Sequence, residues 1–231
     1  MSEQNPVKTT GDTSSFKMLR AMVGIGLACA LLIVLTYEGT LPRVKRLRAE
    51  ALEKAIFKVI PGTETKQTFS YTSEGGFVKQ EGEAEAGSQL VYAGYDEQGE
   101  LVGVAIEASG MGYADVLRIF YGYNPVDQTV IGFHVLESKE TPGLGDKIEK
   151  DANFLANFEA LDVSLNEGFS ALENTVIPVK QGEKDKPWEV DCITGATISS
   201  RAIGNIIGSS TEHWVPIIYN NLESLATADE Q

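Results

Sequence analysis

From Met18 to Tyr37 the chain is apolar almost without interruption; Arg20, near the start, is its only charged residue. As a helix at ~1.5 Å per residue, such a stretch reaches roughly 30 Å, the thickness of a bilayer's hydrocarbon core. Lys17 and Arg20 sit where their ammonium and guanidinium groups can snorkel to the headgroups. A cleaved signal peptide would have a shorter apolar core and a small-x-small site, which Thr36-Tyr37-Glu38-Gly39 does not supply. A lipoprotein cysteine at Cys29 is disfavoured because Leu31 to Leu35 continues the apolar run beyond it. The expectation is an uncleaved transmembrane helix over 18–37, preceded by a polar, disordered start.

Behind the span, Val44, Leu47, Leu52, Ile56 and Val59 recur at helical spacing, and Pro61-Gly62 ends the pattern. Residues 38–62 are therefore a linker helix. Residues 63–226 form the folded domain and 227–231 a disordered tail. The whole formal charge of −14 falls on the part beyond residue 42, because the six charges before it cancel. So acidic a domain repels nucleic-acid phosphates, which excludes that class of partner. Cys29 and Cys192 form no CxxC pair, and the two histidines, His134 and His213, are far apart in sequence. Neither a metal site nor an acid–base dyad is supported. A disulfide is not expected, since the cysteines belong to different phases.

The domain reads as α+β. Thr63 to Ser88 is polar and gives weak strands and loops, with an acidic run at 81–85. Leu90–Tyr95 and Leu101–Glu107 alternate as a hairpin across Asp96-Glu97-Gln98-Gly99. Val116–Tyr123 and Val130–Leu136 form a second strand pair across Asn124-Pro125-Val126-Asp127. Antiparallel pairs flanked by helices point to that class. Ser109-Gly110-Met111-Gly112-Tyr113 reads as a glycine loop between strands. Asn153–Phe158 reads as a short helix with Phe154, Leu155 and Phe158 in the core, and Trp188 and Trp214 as packing residues. Pro216 is expected to open a last helix, His213 lying near the loop before it.

The chemistry concentrates in Asp191-Cys192-Ile193-Thr194-Gly195-Ala196-Thr197-Ile198-Ser199-Ser200. Four hydroxyls surround a small Gly195-Ala196 centre, and the residues from Arg201 to Gly208 read as a helix. Thr197 would then lie just before a helix N-terminus, where unpaired N–H groups favour an anion and Ser199 and Ser200 add donors. Ordinary helix capping accounts for the same pattern. A threonine hydroxyl without a base beside it is a poor nucleophile, so self-catalysed chemistry at Thr197 is not expected.

The pattern Asp-x-x-Ser/Thr-Gly-Ala-Thr-x-Ser/Thr, matched by Asp191, Thr194, Gly195, Ala196, Thr197 and Ser199, resembles the flavin-attachment motif of the FMN-binding domain family. A second run, Glu140-Thr141-Pro142-Gly143-Leu144-Gly145, resembles that family's other hallmark. Its continuation through Asp146-Lys147-Ile148 is closer to the G subunits of Rnf ion-translocating electron-transfer complexes than to the C subunits of sodium-pumping NADH:quinone reductases. The resemblance spans roughly residues 15–226. It implies FMN joined through its phosphate to Thr197 by a separate flavin transferase, so that Thr197 is an attachment point and not a catalyst. It implies Glu140, Thr141, Gly143 and Leu144 against the isoalloxazine ring, with Gly110, Met111 and Gly112 on its other side. Lys180 is a weaker candidate for the polar edge of the flavin, and Asp191 would brace its turn through an Asx-type bond or help recruit the transferase.

The resemblance further implies one subunit of a translocase in the cytoplasmic (inner) membrane. Such a complex moves electrons between ferredoxin and NAD, couples this to ion transport, and contains other subunits as partners. The tail 1–17 would be cytoplasmic and the domain periplasmic or extracytoplasmic. Counting charges gives the opposite orientation, because Arg43, Lys45, Arg46 and Arg48 outnumber Lys8, Lys17 and Arg20; we follow the resemblance. A membrane-anchored, non-catalytic binding or assembly module is the alternative from a different class. A sensory flavin domain, a third reading, would call for further helices or domains.

Overall fold

The structure, a computed structural model, describes residues 12–72, 75–80, 82 and 87–226. Of the start expected to be disordered, residues 1–15, the first eleven lie outside the described residues, as do most of the acidic run at 81–85 and the tail at 227–231, whereas 12–15 belong to a helix and correct that expectation. The chain divides into two units, Met1–Glu50 and Ala51–Gln231.

Helix α1 runs Asp12–Val59 and contains Pro42. In the first unit its apolar side chains, among them Met22, Leu27, Leu32 and Leu35, are exposed. This is the one helix among the described residues long and apolar enough to cross a membrane. A row of leucines bare to water is unfavourable, whereas in lipid it carries no penalty.

The second unit is built on a seven-stranded antiparallel sheet: β1 Thr65–Thr72, β2 Gly76–Lys79, β3 Gln89–Tyr95, β4 Leu101–Met111, β5 Val116–Asn124, β6 Thr129–Glu137 and β7 Leu161–Asp162. Their order across the sheet is β2-β1-β3-β4-β5-β6-β7. Alternation along each strand sends side chains to two separate cores. On β4 and β5, Val104, Ile106, Ile119 and Tyr121 face a large core shared with helix α3 (Thr197–Asn220). Ala105 and Phe120, between them, face a small core closed by Ala55, Ile56, Val59 and Ile60 at the end of α1. The end of α1 sits on a paired glycine window. Gly122 and Gly132 are opposite one another in the β5–β6 register, and a Cβ on either would collide with the Val59 backbone. Helix α2, Ala152–Ala156, is capped by Asp151, whose carboxylate accepts from the Phe154 N–H at 3.0 Å. Phe154 and Phe158 are buried beside Phe133, the ring centroids of Phe133 and Phe158 being 4.6 Å apart. A parallel pair, β8 Ile177–Val179 and β9 Glu189–Asp191, leads into α3.

Three further expectations are corrected. Ser109, Gly110 and Met111 belong to β4, paired with Arg118, Leu117 and Val116, so the loop is only Gly112 to Asp115. Gly110 is there because α3 presses close: a Cβ would stand 2.6 Å from the Ile206 side chain. Pro216 opens no new helix; α3 runs through it, since the burial of Val215, Pro216 and Ile218 offsets the one lost backbone bond. His213 therefore lies inside α3 and not near a loop. The polar stretch before Ser88 is a β1–β2 hairpin in its described part. Trp214 is buried against Tyr71 and Phe77, while Trp188 is only half-buried. Both cysteines are free.

His134, on β6, has its Nδ1 3.3 Å from the Lys58 ammonium. Burial, and then the neighbouring Lys58 charge, hold its pKa below the ordinary histidine value of 6.5. Between that lowered pKa and 6.5 the unfolded chain binds more protons than the folded one, so this group makes stability fall as pH drops through the interval. A His134→Gln chain is expected to lose less thermal stability than wild type between pH 7 and pH 5. Parallel melting curves in full-length protein would test this; identical slopes would contradict it.

Candidate functional site

The loop from β9 into α3 is held by its own backbone and by Ser200. The Ser200 hydroxyl donates to the Ala196 carbonyl at 2.9 Å and accepts from the Ile193 N–H at 3.1 Å, while the Ala196 N–H donates to the Ile193 carbonyl at 3.1 Å. Gly195 takes φ +84°, the left-handed region that favours glycine. The N-cap is Ala196, which offers no side-chain bond. Thr197 is thus the first helical residue, not a cap, and the capping explanation of this hydroxyl-rich run does not hold. The first intrahelical bond is Ser200 N–H to Ala196 at 2.9 Å, so the N–H groups of Thr197, Ile198 and Ser199 precede the ladder. Thr197 is exposed; its hydroxyl donates to the Ile193 carbonyl at a long 3.3 Å.

The expected donors beside it are engaged elsewhere. The buried Ser199 hydroxyl donates to Glu140 Oε2 at 2.6 Å, and Ser200 is consumed by its own loop. Glu140 Oε1 accepts the Tyr113 and Ala114 N–H groups at 2.8 and 3.1 Å. A single carboxylate, only 6% exposed, therefore ties three segments together: its own loop, the β4–β5 turn and the first turn of α3. Gly112 and Gly145 press against it so closely that a Cβ on either would strike its oxygens. Gly112 lies behind Glu140 and lines neither cavity at the site.

Two cavities meet at Thr197 and Ile198. One, of about 360 Å³, lies between Glu140, Thr141, Leu144 and Gly145 on one wall and Gly195 to Ser199 on the other, with Tyr113 at its side. The other is a groove of about 740 Å³ between the end of β4 (Gly110, Met111) and α3, where Arg201, Asn205 and His213 face it. Among the described residues, no carboxylate lines the groove. Met111, Tyr113, Leu144 and Ile198 are large, exposed apolar side chains around the same point.

Other predicted residues lie outside both linings. Gly143, at φ +78°, makes the turn, its N–H donating to Asp146 Oδ1 at 2.7 Å. Asp146 is in turn held by Lys150 at 2.6 Å, and that bond is the first cause of its lowered pKa. Thr194 is exposed and its N–H donates to Gln181 Oε1 at 2.9 Å. Asp191 does not brace its own turn: its Oδ1 accepts the Gly182 N–H at 2.7 Å and so fixes the β8–β9 connection. Lys180 points away to Glu183 at 3.8 Å. Cys192 is buried, which raises its thiol pKa and keeps it from competing as a nucleophile beside Thr197.

Two residues escape a reading of the sequence. Asn157 accepts from the Asp191 N–H at 3.0 Å and from Lys184 at 3.1 Å, and donates to the Asp191 carbonyl at 3.1 Å, so it pins β9; nothing in its sequence context marks it. Lys147 brings its ammonium to 3.9 Å from where a Gly195 Cβ would stand. Its place directly after the Glu140 run was the one signal available.

The arrangement suits a phosphate-bearing ligand with an apolar body. It offers the hydroxyl of an exposed threonine, three N–H groups at a helix start without a partner among the described residues, open backbone at Gly195 and an apolar rim. No cluster of metal ligands occurs among the described residues.

Residues 112–211, which include both motifs, match the FMN-binding domain family. Over 177 residues the chain is 32% identical to the G subunit of the Na(+)-translocating ferredoxin:NAD(+) oxidoreductase complex of Acetobacterium woodii, covering 76% of this chain and 73% of that one. Over 197 residues it is 29% identical to the G subunit of the ion-translocating oxidoreductase complex of Methanosarcina acetivorans, covering 85% and 93%. The crystal structure of Shewanella oneidensis NqrC shares the fold, with a TM-score of 0.56 at 17% identity over 77% of this chain and 98% of that one.

Proposed function

Because this chain belongs to the family of G subunits of ion-translocating oxidoreductase complexes, we propose that it is the electron-relaying flavoprotein subunit of such a translocase, with FMN esterified through its phosphate to Thr197. The observation that carries this reading is the exposed Thr197 hydroxyl at the start of α3, where two cavities meet. FMN supplies the redox chemistry; the protein supplies position and electrostatics.

A phosphodiester on Thr197 keeps about one negative charge, which the N–H groups of Thr197, Ile198 and Ser199 stabilise. Thr141, Leu144 and the Glu140 loop would hold the ring in the smaller cavity, with Met111 at the rim of the adjoining groove. Glu140 keeps the cavity walls together and leaves the ring to the backbone and apolar side chains. Attachment would form the bond between the Thr197 oxygen and the flavin's phosphorus while a P–O bond of an activated flavin nucleotide breaks and its other half leaves; since the Glu140 carboxylate is already committed to three donors, the base that takes the Thr197 proton would come, with that donor, from a flavin transferase. Tethering removes dissociation, which matters on the extracytoplasmic side, where free FMN is scarce and a reversible site would need very tight binding. Electrons travel between ferredoxin and NAD through the assembled complex, with the other subunits as neighbours in the membrane, and the passage is coupled to ion movement.

Intact mass of full-length protein made together with a flavin transferase is expected to show one FMN adduct, and the band on a denaturing gel to fluoresce under ultraviolet light. A dark band of unmodified mass removes the reading. In sealed right-side-out vesicles, added protease is expected to digest the domain without detergent; protection would place it on the cytoplasmic side.

A further inference from the structure

An ester bond fixes the flavin at one oxygen only, and the phosphate remains free to turn about it. The N–H groups at the start of α3 reach the phosphate from the helix side alone, so a charged contact from another direction would restrict its rotation and with it the position of the ring. Among the described side chains lining the smaller cavity, the only charged one is Glu140, which is engaged and of the wrong sign. The cation beside that cavity is Lys147. Its turn, Gly145–Glu149, is anchored by the buried Ile148 and by Gly145 under Glu140, so the backbone is fixed while the four-carbon stem reaches out. The ammonium stands over Gly195, two residues before Thr197, 3.9 Å from an ideal Cβ position there.

Several other cations around the site have partners: Lys139 pairs with Asp115, Lys150 with Asp146 and Lys184 with Asn157. Lys147 is half-buried and, among the described residues, makes no ion pair or side-chain hydrogen bond, in a chain of formal charge −14. Asp146 next to it in sequence is committed to Lys150 and to Gly143 N–H. An unpaired ammonium beside an open helix start is complementary to a phosphate on Thr197.

We propose that Lys147 is a positioning residue: its ammonium grips the phosphodiester on Thr197 from the Gly195 side and so keeps the flavin ring in the cavity formed by the Glu140 loop. This rests on the reading of Thr197 as the attachment point. Arg201, one turn further along α3 and facing the groove, is the cation that would draw the phosphate the other way.

The test uses full-length flavinylated protein in detergent, as wild type, Lys147→Gln, Lys147→Arg and Arg201→Gln. Intact mass first establishes the adduct; its absence from wild type overturns the Thr197 reading and this one with it. Time-resolved fluorescence anisotropy then reports the ratio of mobile to immobile ring. Lys147→Gln is expected to raise that ratio roughly two- to fivefold, the range for one partly exposed charge contact. Lys147→Arg restores it and Arg201→Gln leaves it near wild type. High salt mobilises the wild-type ring but not that of Lys147→Gln. If Lys147→Gln stays unloaded while Lys147→Arg loads, the phosphate role is supported at the attachment step instead. Equal mobility in loaded wild type and Lys147→Gln, or a larger effect from Arg201→Gln, overturns the proposal.

Discussion

A Thr197→Val chain, produced beside the flavin transferase, is expected to carry no FMN at all, and a complex containing it to lose its electron relay through this subunit. Valine keeps the branched shape of threonine and removes only the hydroxyl. What that hydroxyl contributes to the fold is a single 3.3 Å bond to the Ile193 carbonyl on an exposed residue. Its loss costs well under ~1 kcal/mol, so the melting temperature should stay within a few degrees while the adduct disappears. Thr197→Ser restores a hydroxyl at the same place and is expected to recover loading. Two neighbouring hydroxyls cannot substitute: Ser199 is buried and donates to Glu140, and Ser200 is spent on the loop, so that within this run the alternative acceptor is the exposed Thr194. An FMN adduct retained on Thr197→Val and mapped to Thr194 would show that the ester had been assigned to the wrong oxygen.

How far the sequence could be read depends on what each pattern reports. The two central hairpins were legible because alternation along β3 to β6 encodes which face a side chain takes, and both faces of this sheet are buried. The apolar run of α1 was legible for the same reason: it encodes its surroundings directly. The extension of β4 to Met111 was not, because Gly110 is demanded by Ile206 on a distant helix and reads locally as a loop. Pro216 misled in the same way, since the packing that carries α3 through it is tertiary. Within the site, residue types were legible and their directions were not. A glutamate turned inward to three donors is written with the same letter as one turned toward a ligand, and Asn157 and Lys147 owe their roles to segments far away in the chain.

Glu140 is where this difference has the largest consequence for stability. Glu140→Ala removes the acceptor of two backbone N–H groups and of the buried Ser199 hydroxyl in one step. Donors left unsatisfied cost about 1–3 kcal/mol each, and solvent reaching the opened turn recovers part of that, so a net loss of about 3 kcal/mol is expected. For a domain of this size that lowers the melting temperature by roughly 6–12 °C. Flavin loading should fall as well, because the turn at Tyr113 and the start of α3 would no longer share a fixed point. Glu140→Gln is predicted to be milder, near ~1 kcal/mol. Its carbonyl can still accept from Tyr113 and Ala114, and its amide can donate to Ser199 once that hydroxyl turns round. The decisive measurement is a double-mutant cycle with Ser199→Ala. If the carboxylate is a structural tie, the two losses are strongly non-additive, with a coupling above ~1 kcal/mol. If Glu140 acts mainly on the flavin ring, the losses add, and Glu140→Ala alters the flavin spectrum while leaving the melting curve close to wild type.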